Sequence, residues 1–296
     1  MIKIEWIEEK DFMNSELVSI IIPTFNRADS ITTAVNSALN QTYSNVEVII
    51  IDDGSIDNTK DVVERIHDER VRYIQLVQNA GASHARNVGI REANGVYISF
   101  HDSDDVMYPE KIQTQLDYLK KTGSEMVYCQ VARFDLSGRS LGNLPIKTKT
   151  YNSIESTYEH FLMCGKVWTQ TIFGTSRSIK SVLFDEKMKC RVDMDWSIRY
   201  AKRYPISYQK LPLVKSFIQK DSISQNKNNA VEATKIMYEK FKEDIEKKNR
   251  LKRAWQVEMI RITQMNRPAK DLLKAFFLSG DVRWLVRFAR SCLKRR

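Results

Sequence analysis

The sequence predicts an α/β fold: an open, mostly parallel sheet with helices on both faces, followed by a helical C-terminal extension. Three observations carry this. Strand-like runs rich in β-branched residues alternate four times with segments of helical spacing. Every unusual polar cluster falls where such a run ends, on the carboxyl edge at which open sheets bind ligands. From Ala230 onward the spacing is helical almost throughout.

The elements follow in order. Val18 to Ile22 is a strand buried on both faces, ended by the segment Pro23 to Asp29. Ser30 to Asn40 has helical spacing through Ile31, Ala34, Val35, Ala38 and Leu39. Val46 to Ile51 is a second buried strand, closed by Asp52-Asp-Gly-Ser55. Thr59 to His67 is a helix with Val62, Val63 and Ile66 inward, and Val71 to Val77 is a third strand. Ala82 to Ala93 is helical and Val96 to Phe100 is the fourth strand. Past Pro109, a helix is expected over 110–121 and a strand over 125–134, one arm of a hairpin turning at Ser137-Gly138. Residues 139–165 read as an irregular, mobile loop over the site, and 167–218 as short strands and helices. The expected domains are 1–228, split into halves 17–105 and 106–228, and a basic extension 229–296.

Composition narrows the class. The 296 residues are 42% hydrophobic and 28% charged, enough for a sizeable core. Gly and Pro number only 10 and 6, which argues against long disordered linkers. Cys129, Cys164, Cys190 and Cys292 form no CxxC pair, so reduced cytoplasmic thiols are expected in place of zinc or a disulfide scaffold. The first ten residues lack the apolar run of a signal peptide, and no apolar stretch reaches the ~18 residues that span a bilayer. The net charge of +10 sits wholly in residues 229–296, which hold 18 Lys and Arg against 8 Asp and Glu.

Chemistry concentrates after the fourth strand, where His101-Asp-Ser-Asp-Asp105 crowds Asp102, Asp104 and Asp105 into four residues. Carboxylates at that density repel unless a cation lies among them. Hard oxygen ligands suit Mg²⁺ or Mn²⁺, with phosphate oxygens completing the shell; an acidic turn that caps the next helix is the alternative. Asp53 closes the second strand, where a carboxylate accepts a pyrimidine N3–H or a ribose hydroxyl, and Gly54 permits a tight turn. Pro23 and Thr24 would lie against the same base. The small-residue segment Asn79 to Asn87 runs into a helix, whose N-terminus and Arg86 suit a diphosphate. Each cluster alone is also ordinary capping and turn chemistry. Together they offer a base pocket, a phosphate binder and a metal carboxylate on one sheet edge.

Ile21-Ile-Pro-Thr-Phe-Asn-Arg27, Ile50-Ile-Asp-Asp-Gly-Ser55, Asn79 to Asn87 and His101 to Asp105, in this order and spacing, resemble the family 2 glycosyltransferases of GT-A fold over about residues 17–110. The resemblance implies a nucleotide-sugar donor, a divalent metal (Mn²⁺ or Mg²⁺) and inversion at the anomeric carbon. It makes Asp102-Ser103-Asp104 the DxD motif, with Asp104 on the metal and Asp102 and Ser103 nearer ribose or sugar, and it places Pro23, Thr24, Asn26, Asp53 and Arg86 around the nucleotide. Asp53 suits uracil, though guanine and thymine donors occur in the family.

Inversion needs a general base on the acceptor side. The candidate is Asp193 in Arg191 to Tyr200, where the family often has Glu-Asp and an Arg six residues on. Arg199 fits, but Val192 stands at the Glu position. Asp195 is the rival; on a helix the two side chains point about 200° apart, so at most one faces the reaction. In Ser216 to Ser224 the family's aromatic and closing Ser are met by Phe217 and Ser224, but Lys220 replaces a His. A protonated lysine contacts a diphosphate only as a point charge. His84 and His101 have no metal spacing and are read as outer support. Gly174 to Arg177 is expected against the donor sugar or the acceptor.

The tail reads as two helices, 271–279 and 282–293. The second carries an apolar stripe (Val282, Leu285, Val286, Ala289, Cys292, Leu293), flanking Trp284 and Phe288, and a basic stripe of Arg283, Arg287, Arg290 and Lys294. Such helices lie on anionic membrane surfaces, or pack on the body or on another subunit. A lipid-linked saccharide acceptor in bacterial surface polysaccharide synthesis would suit the first, with the chain cytoplasmic and peripheral on the inner face of the cell membrane. Competing classes fit less well. A sugar-phosphate nucleotidyltransferase expects a Gly-rich loop after the first strand, and Pro23 to Asp29 has no glycine. A dehydrogenase expects GxGxxG after a strand. A non-catalytic polyanion binder would use the tail, but no nucleic-acid motif is present and no nucleic acid is expected as a partner.

Overall fold

β1 (Val18–Thr24) and β2 (Val46–Asp52) are buried at every residue. A strand covered on both faces has no solvent side to alternate with, hence their nearly continuous β-branched runs. β1 pairs in parallel with β2 on one side and with β4 (Tyr97–Phe100) on the other, and β3 (Val71–Gln75) pairs in parallel with β2. The crossovers carry α1 (Ile31–Leu39), α2 (Thr59–Glu64) and α3 (Ala82–Glu92). Val18, Ile20 and Ile22 join Ile31, Val35, Ala38, Val48 and Ile50 in one core cluster. Ile21 meets α3 at Gly89, where a Cβ would lie 2.4 Å from Ile21 Cγ2. Glycine there lets helix and strand approach closely.

The structure is a computed structural model that describes residues 16–145, 153–163, 165, 167–218, 227–262, 274 and 277–279. Beyond β4 the sheet continues through β8 (Ile172–Thr175), β6 (Met126–Phe134), β9 (Ile206–Phe217) and β5 (Val106–Met107). β7 (Ser140–Leu144) forms the expected hairpin with β6. Among the described residues, β5, β7 and β8 oppose the other six strands. The sheet is thus mostly parallel, as the sequence predicts. β5 follows the acidic turn at once, so β4 and the β5–β9 pair hold that turn at both ends.

The chain divides into two compact units, one within Met1–Lys149, Trp168–Leu183 and Ile206–Phe217, the other within Thr150–Val167, Phe184–Pro205 and Ile218–Arg296. The first holds the sheet, α1 to α3, α4 (Lys111–Thr122) and α6 (Ser176–Lys180). The second holds α5 (Ile154–Leu162), α7 (Val192–Ala201), α8 (Lys227–Glu246) and α9 (Asn249–Ile262). In it, the buried Trp196 stacks on Phe184 at 5.3 Å and on Tyr200 at 4.8 Å. The buried Trp255 donates its indole N–H to Leu162 O at 2.7 Å. Met237, Ile245, Leu251 and Trp255 give the charged helices α8 and α9 an apolar buried face.

One expectation is corrected. Residues 139–165 are not one irregular loop: they contain β7 and α5, the latter capped by Ser153 Oγ, which accepts the Ser156 N–H at 3.1 Å. β7 is solvent-exposed and reads Ser-Leu-Gly-Asn-Leu, so it lacks the apolar alternation that reveals a strand. The N-terminal ten residues, Lys220, Ser224 and the tail helix 282–293 lie outside the described residues, as does most of 271–279. No helix among the described residues is long and apolar enough to cross a membrane.

Candidate active site

Three loops meet at the carboxyl edge of β1, β2 and β3, and side chains of the motifs lace them together. Asn26 takes a left-handed conformation, φ 51°, which Asn tolerates. Its N–H donates to Ser55 Oγ at 2.8 Å and its Oδ1 accepts the Ile56 N–H at 2.9 Å. Asp52 Oδ1 accepts the Ser55 N–H at 2.7 Å. Asp53 is buried; its N–H donates to Thr24 O, and its two oxygens accept the N–H groups of Ala80 (2.9 Å) and Gly81 (2.7 Å). Asp53 thereby ties the segment before α3 to the end of β2, and each of its oxygens keeps a second lone pair for a ligand. Gly54, φ +76°, packs against the backbone of Gln78 and Asn79, with 3.0 Å left for a Cβ. Pro23, opposite Ile51 of β2, is the last residue but one of β1. Beside it, Thr24 Oγ1 is buried with no hydrogen-bond partner among the described residues. A buried hydroxyl left that way is costly, and a bound ligand would relieve it.

The acidic turn lies at the end of β4. Arg86, buried on α3, donates from Nη2 to Asp102 Oδ1 at 2.9 Å. The expected phosphate-binding arginine and the first DxD aspartate are therefore partners. Ser103 is buried. Arg27 Nη2 stands 3.8 Å from Asp104 Oδ2. Burial, and then the Asp102 charge, hold the Asp104 carboxyl above its usual range, with Arg27 opposing. Burial, Asp102 and Asp104 push Asp105 up much further. Burial and mutual repulsion therefore disfavour the charged forms of Asp104 and Asp105 in this turn.

These groups fit a hard divalent cation. The donors are carboxylate oxygens in a like-charge cluster that a cation would relieve. Among the described residues no three His, Cys, Asp or Glu side chains converge into a cage. Asp104 would thus hold the ion with oxygens of a bound diphosphate and water. His101 is no ligand in this arrangement. It is fully buried, its Nε2 lies 3.2 Å from Ser37 Oγ, and burial followed by the Lys111 cation pushes its imidazole down to about 3. It packs the root of the turn.

In the second unit, α7 carries both candidate bases. Asp193, in the first turn, is half-buried, and its Oδ1 accepts the Met194 N–H at 2.8 Å. Asp195 is fully buried between Arg199 (2.8 Å) and Lys240 of α8 (2.7 Å), and Lys240 also reaches Asp185 at 3.0 Å. The opposite faces expected from helical geometry are thus one partly open carboxylate and one enclosed in ion pairs.

Residues 19–175, more than half of the chain, match the family model described as Glycosyl transferase family 2. The chain belongs to that family. An uncharacterized glycosyltransferase of Haemophilus influenzae is 32% identical over 225 residues, 73% of this chain and 84% of that protein. A relative of the same description from Rickettsia conorii is 30% identical over 80% of this chain, which spans only 40% of its length. The Escherichia coli protein named UDP-Glc:alpha-D-GlcNAc-diphosphoundecaprenol beta-1,3-glucosyltransferase WfaP is 46% identical over 105 residues, 36% of this chain and 42% of that one. Among solved structures, S. aureus TarS 1-349 in complex with UDP-GlcNAc superposes with a TM-score of 0.65 at 17% identity, covering 86% of this chain and 83% of that one. The Pyrobaculum calidifontis mannosyltransferase PcManGT, in complex with GDP-Man and Mn2+, gives 0.63 at 15%, covering 95% and 81%. Both show the same fold, the GT-A architecture expected from the motifs.

In this family 2 glycosyltransferase, Pro23, Thr24, Asn26, Asp53, Arg86, Asp102, Ser103 and Asp104 all lie at the carboxyl edge of the first unit, and Asp193 belongs to the second. Arg27, next to Asn26 in the quoted motif, is the residue that sequence reading left off the site; its contact with Asp104 spans 77 positions and only the fold makes it. Gly174 to Arg177 is a correction. Antiparallel pairing sets Thr175 opposite Tyr97, at the amino end of β4 and away from the acidic turn. There Arg177 pairs with Glu125 at 2.6 Å and Ser176 Oγ donates to Gly95 O. These residues close the far edge of the sheet.

Proposed function

We propose that this glycosyltransferase moves a sugar, with inversion, from a UDP-sugar to a hydroxyl of a lipid-linked saccharide in bacterial surface polysaccharide synthesis. The observation that carries the donor half is the edge described above. A buried Thr24 hydroxyl with no partner among the described residues lies beside Asp53, and a turn of crowded carboxyls lies beside Arg86. Thr24 and Asp53 hold the base and ribose, and Arg86 and the first turn of α3 face the diphosphate. Asp104 would hold Mn²⁺ or Mg²⁺, which when bound would neutralise charge on the leaving diphosphate. Asp193 takes the proton of the acceptor hydroxyl. The acceptor oxygen then bonds to the anomeric carbon, and the carbon–oxygen bond to the diphosphate breaks with its electron pair leaving on UDP. One displacement inverts the centre with no covalent intermediate.

The lipid-linked acceptor is supported by the similarity to WfaP, whose name gives a diphosphoundecaprenol-linked GlcNAc as acceptor, and the base by the half-buried Asp193. The basic segment 229–296 holds the enzyme on the inner membrane face. Deleting 268–296 is expected to release it from anionic phospholipid vesicles in a flotation assay; an unchanged partition would favour packing on the body.

A thermal-shift screen tests the donor site. UDP, GDP, dTDP and their sugars are added with and without Mn²⁺. A metal-dependent rise in Tm with the uridine compounds is expected. A response to guanosine or thymidine compounds alone would replace the donor class, and no response to any of them would remove the donor site.

A further inference from the structure

Arg191, the cap residue just before α7, has φ 57°, a left-handed conformation that a side chain with a Cβ rarely adopts. Something must hold it there. Its guanidinium is nearly enclosed, and Nη1 lies 2.6 Å from Glu258 Oε1 on α9. Glu258 is 6% exposed, and both its oxygens also accept from Arg261, at 2.6 Å and 2.5 Å. Burial works against that charge, yet Arg261 and Arg191 outweigh it and hold the carboxyl at about 2, so Glu258 is ionised at any working pH. Charge-assisted, bidentate contacts of this kind fix geometry as well as supply energy. Further along, α7 is tied to α8 by Lys240, which pairs with Asp195 at 2.7 Å.

We infer that Glu258 is a positioning residue for sugar transfer: through Arg191 it holds the left-handed turn that sets the direction of α7 and so of Asp193, two residues on. α9 lies outside the segment matched by the family model, so this support comes from the part of the chain beyond the motifs. The inference rests on the reading of Asp193 as base, and the test separates the two.

The test uses the full chain and Glu258→Gln, which keeps the shape and removes the charge. Hydrogen exchange of the amides at 192–195 reports the turn without any substrate. Exchange there is expected to quicken at least ~10-fold while β1 and β2 stay protected. Turnover is read as UDP released from UDP-glucose and UDP-GlcNAc with Mn²⁺. A fall in kcat of ~10-fold or more is expected, with the donor KM and the Kd for UDP within ~2-fold. Arg191→Gln, which leaves the Glu258–Arg261 pair in place, should reproduce both effects, and it decides the matter if Glu258→Gln does not fold. Unchanged exchange at 192–195, or an unchanged kcat in a folded variant, overturns the positioning role. If Asp193→Asn keeps full turnover, the base reading fails, and the exchange result still decides whether Glu258 holds the turn.

Discussion

Asp104→Asn is expected to abolish metal-dependent sugar transfer while leaving the protein as stable as before, or more so. Asp104 is partly buried beside Asp102, and burial and that neighbour's charge push its carboxyl above the usual range. Such a group is less comfortable charged in the folded chain than in the unfolded one, so its ionisation weakens the fold at neutral pH. Asparagine removes the repulsion and keeps the shape. It also removes the carboxylate that would hold the cation. Charge stabilisation by a bound metal is worth several kcal/mol, so kcat should drop ~10³-fold, about 4 kcal/mol in the barrier. Steady-state UDP release, a Tm and a Mn²⁺ titration with UDP check this. Wild-type turnover in the variant would remove the metal assignment. A collapse in Tm would instead make the turn a structural cap.

The second large effect separates Asp193 from Asp195. Asp193→Asn should cost ~10²–10⁴-fold in kcat, the usual contribution of a general base, while UDP binding and Tm stay near wild type. Asp195→Asn should act on stability instead. It leaves Arg199 and Lys240 facing a neutral amide at a buried position; both cations are partly exposed and Lys240 keeps Asp185, so the loss is that of charge-assisted hydrogen bonds, ~2–3 kcal/mol. Its Tm should therefore fall by several degrees, and its loss of activity should follow loss of folded protein. A folded, inactive Asp195→Asn beside an active Asp193→Asn would assign the base to the wrong carboxylate.

The sheet was readable because its central strands are buried on both faces. Val18–Thr24 and Val46–Asp52 hold β-branched residues with few interruptions, and each is followed by a polar turn and an amphipathic helix. β7 was legible only as the return arm of the hairpin at Ser137-Gly138, and not from its own residues, because it is an exposed strand with no apolar period. Gly174 to Arg177 misled because small polar residues look alike at either end of a strand. Only the pairing of Thr175 with Tyr97 places them at the amino end.

The site divides in the same way. The sequence alone determined the kinds of group present: acidic residues closing β2 and β4, a glycine after Asp53, an arginine on α3, and a charged tail. Residue type and spacing along the chain record these, since each depends on neighbours within one element. Tertiary structure decided which groups meet. Arg86 was expected on a diphosphate and is also paired with Asp102. Asp53 bonds the Ala80 and Gly81 amides 27 and 28 positions away. Asp195 is enclosed by Lys240, and Arg191 by Glu258. Burial and ion pairing are properties of what packs against a residue from distant parts of the chain. The sequence thus named two aspartates on α7, and tertiary packing closed Asp195 off, with Lys240 of α8 as its partner from outside the helix, while Asp193 stays half-buried.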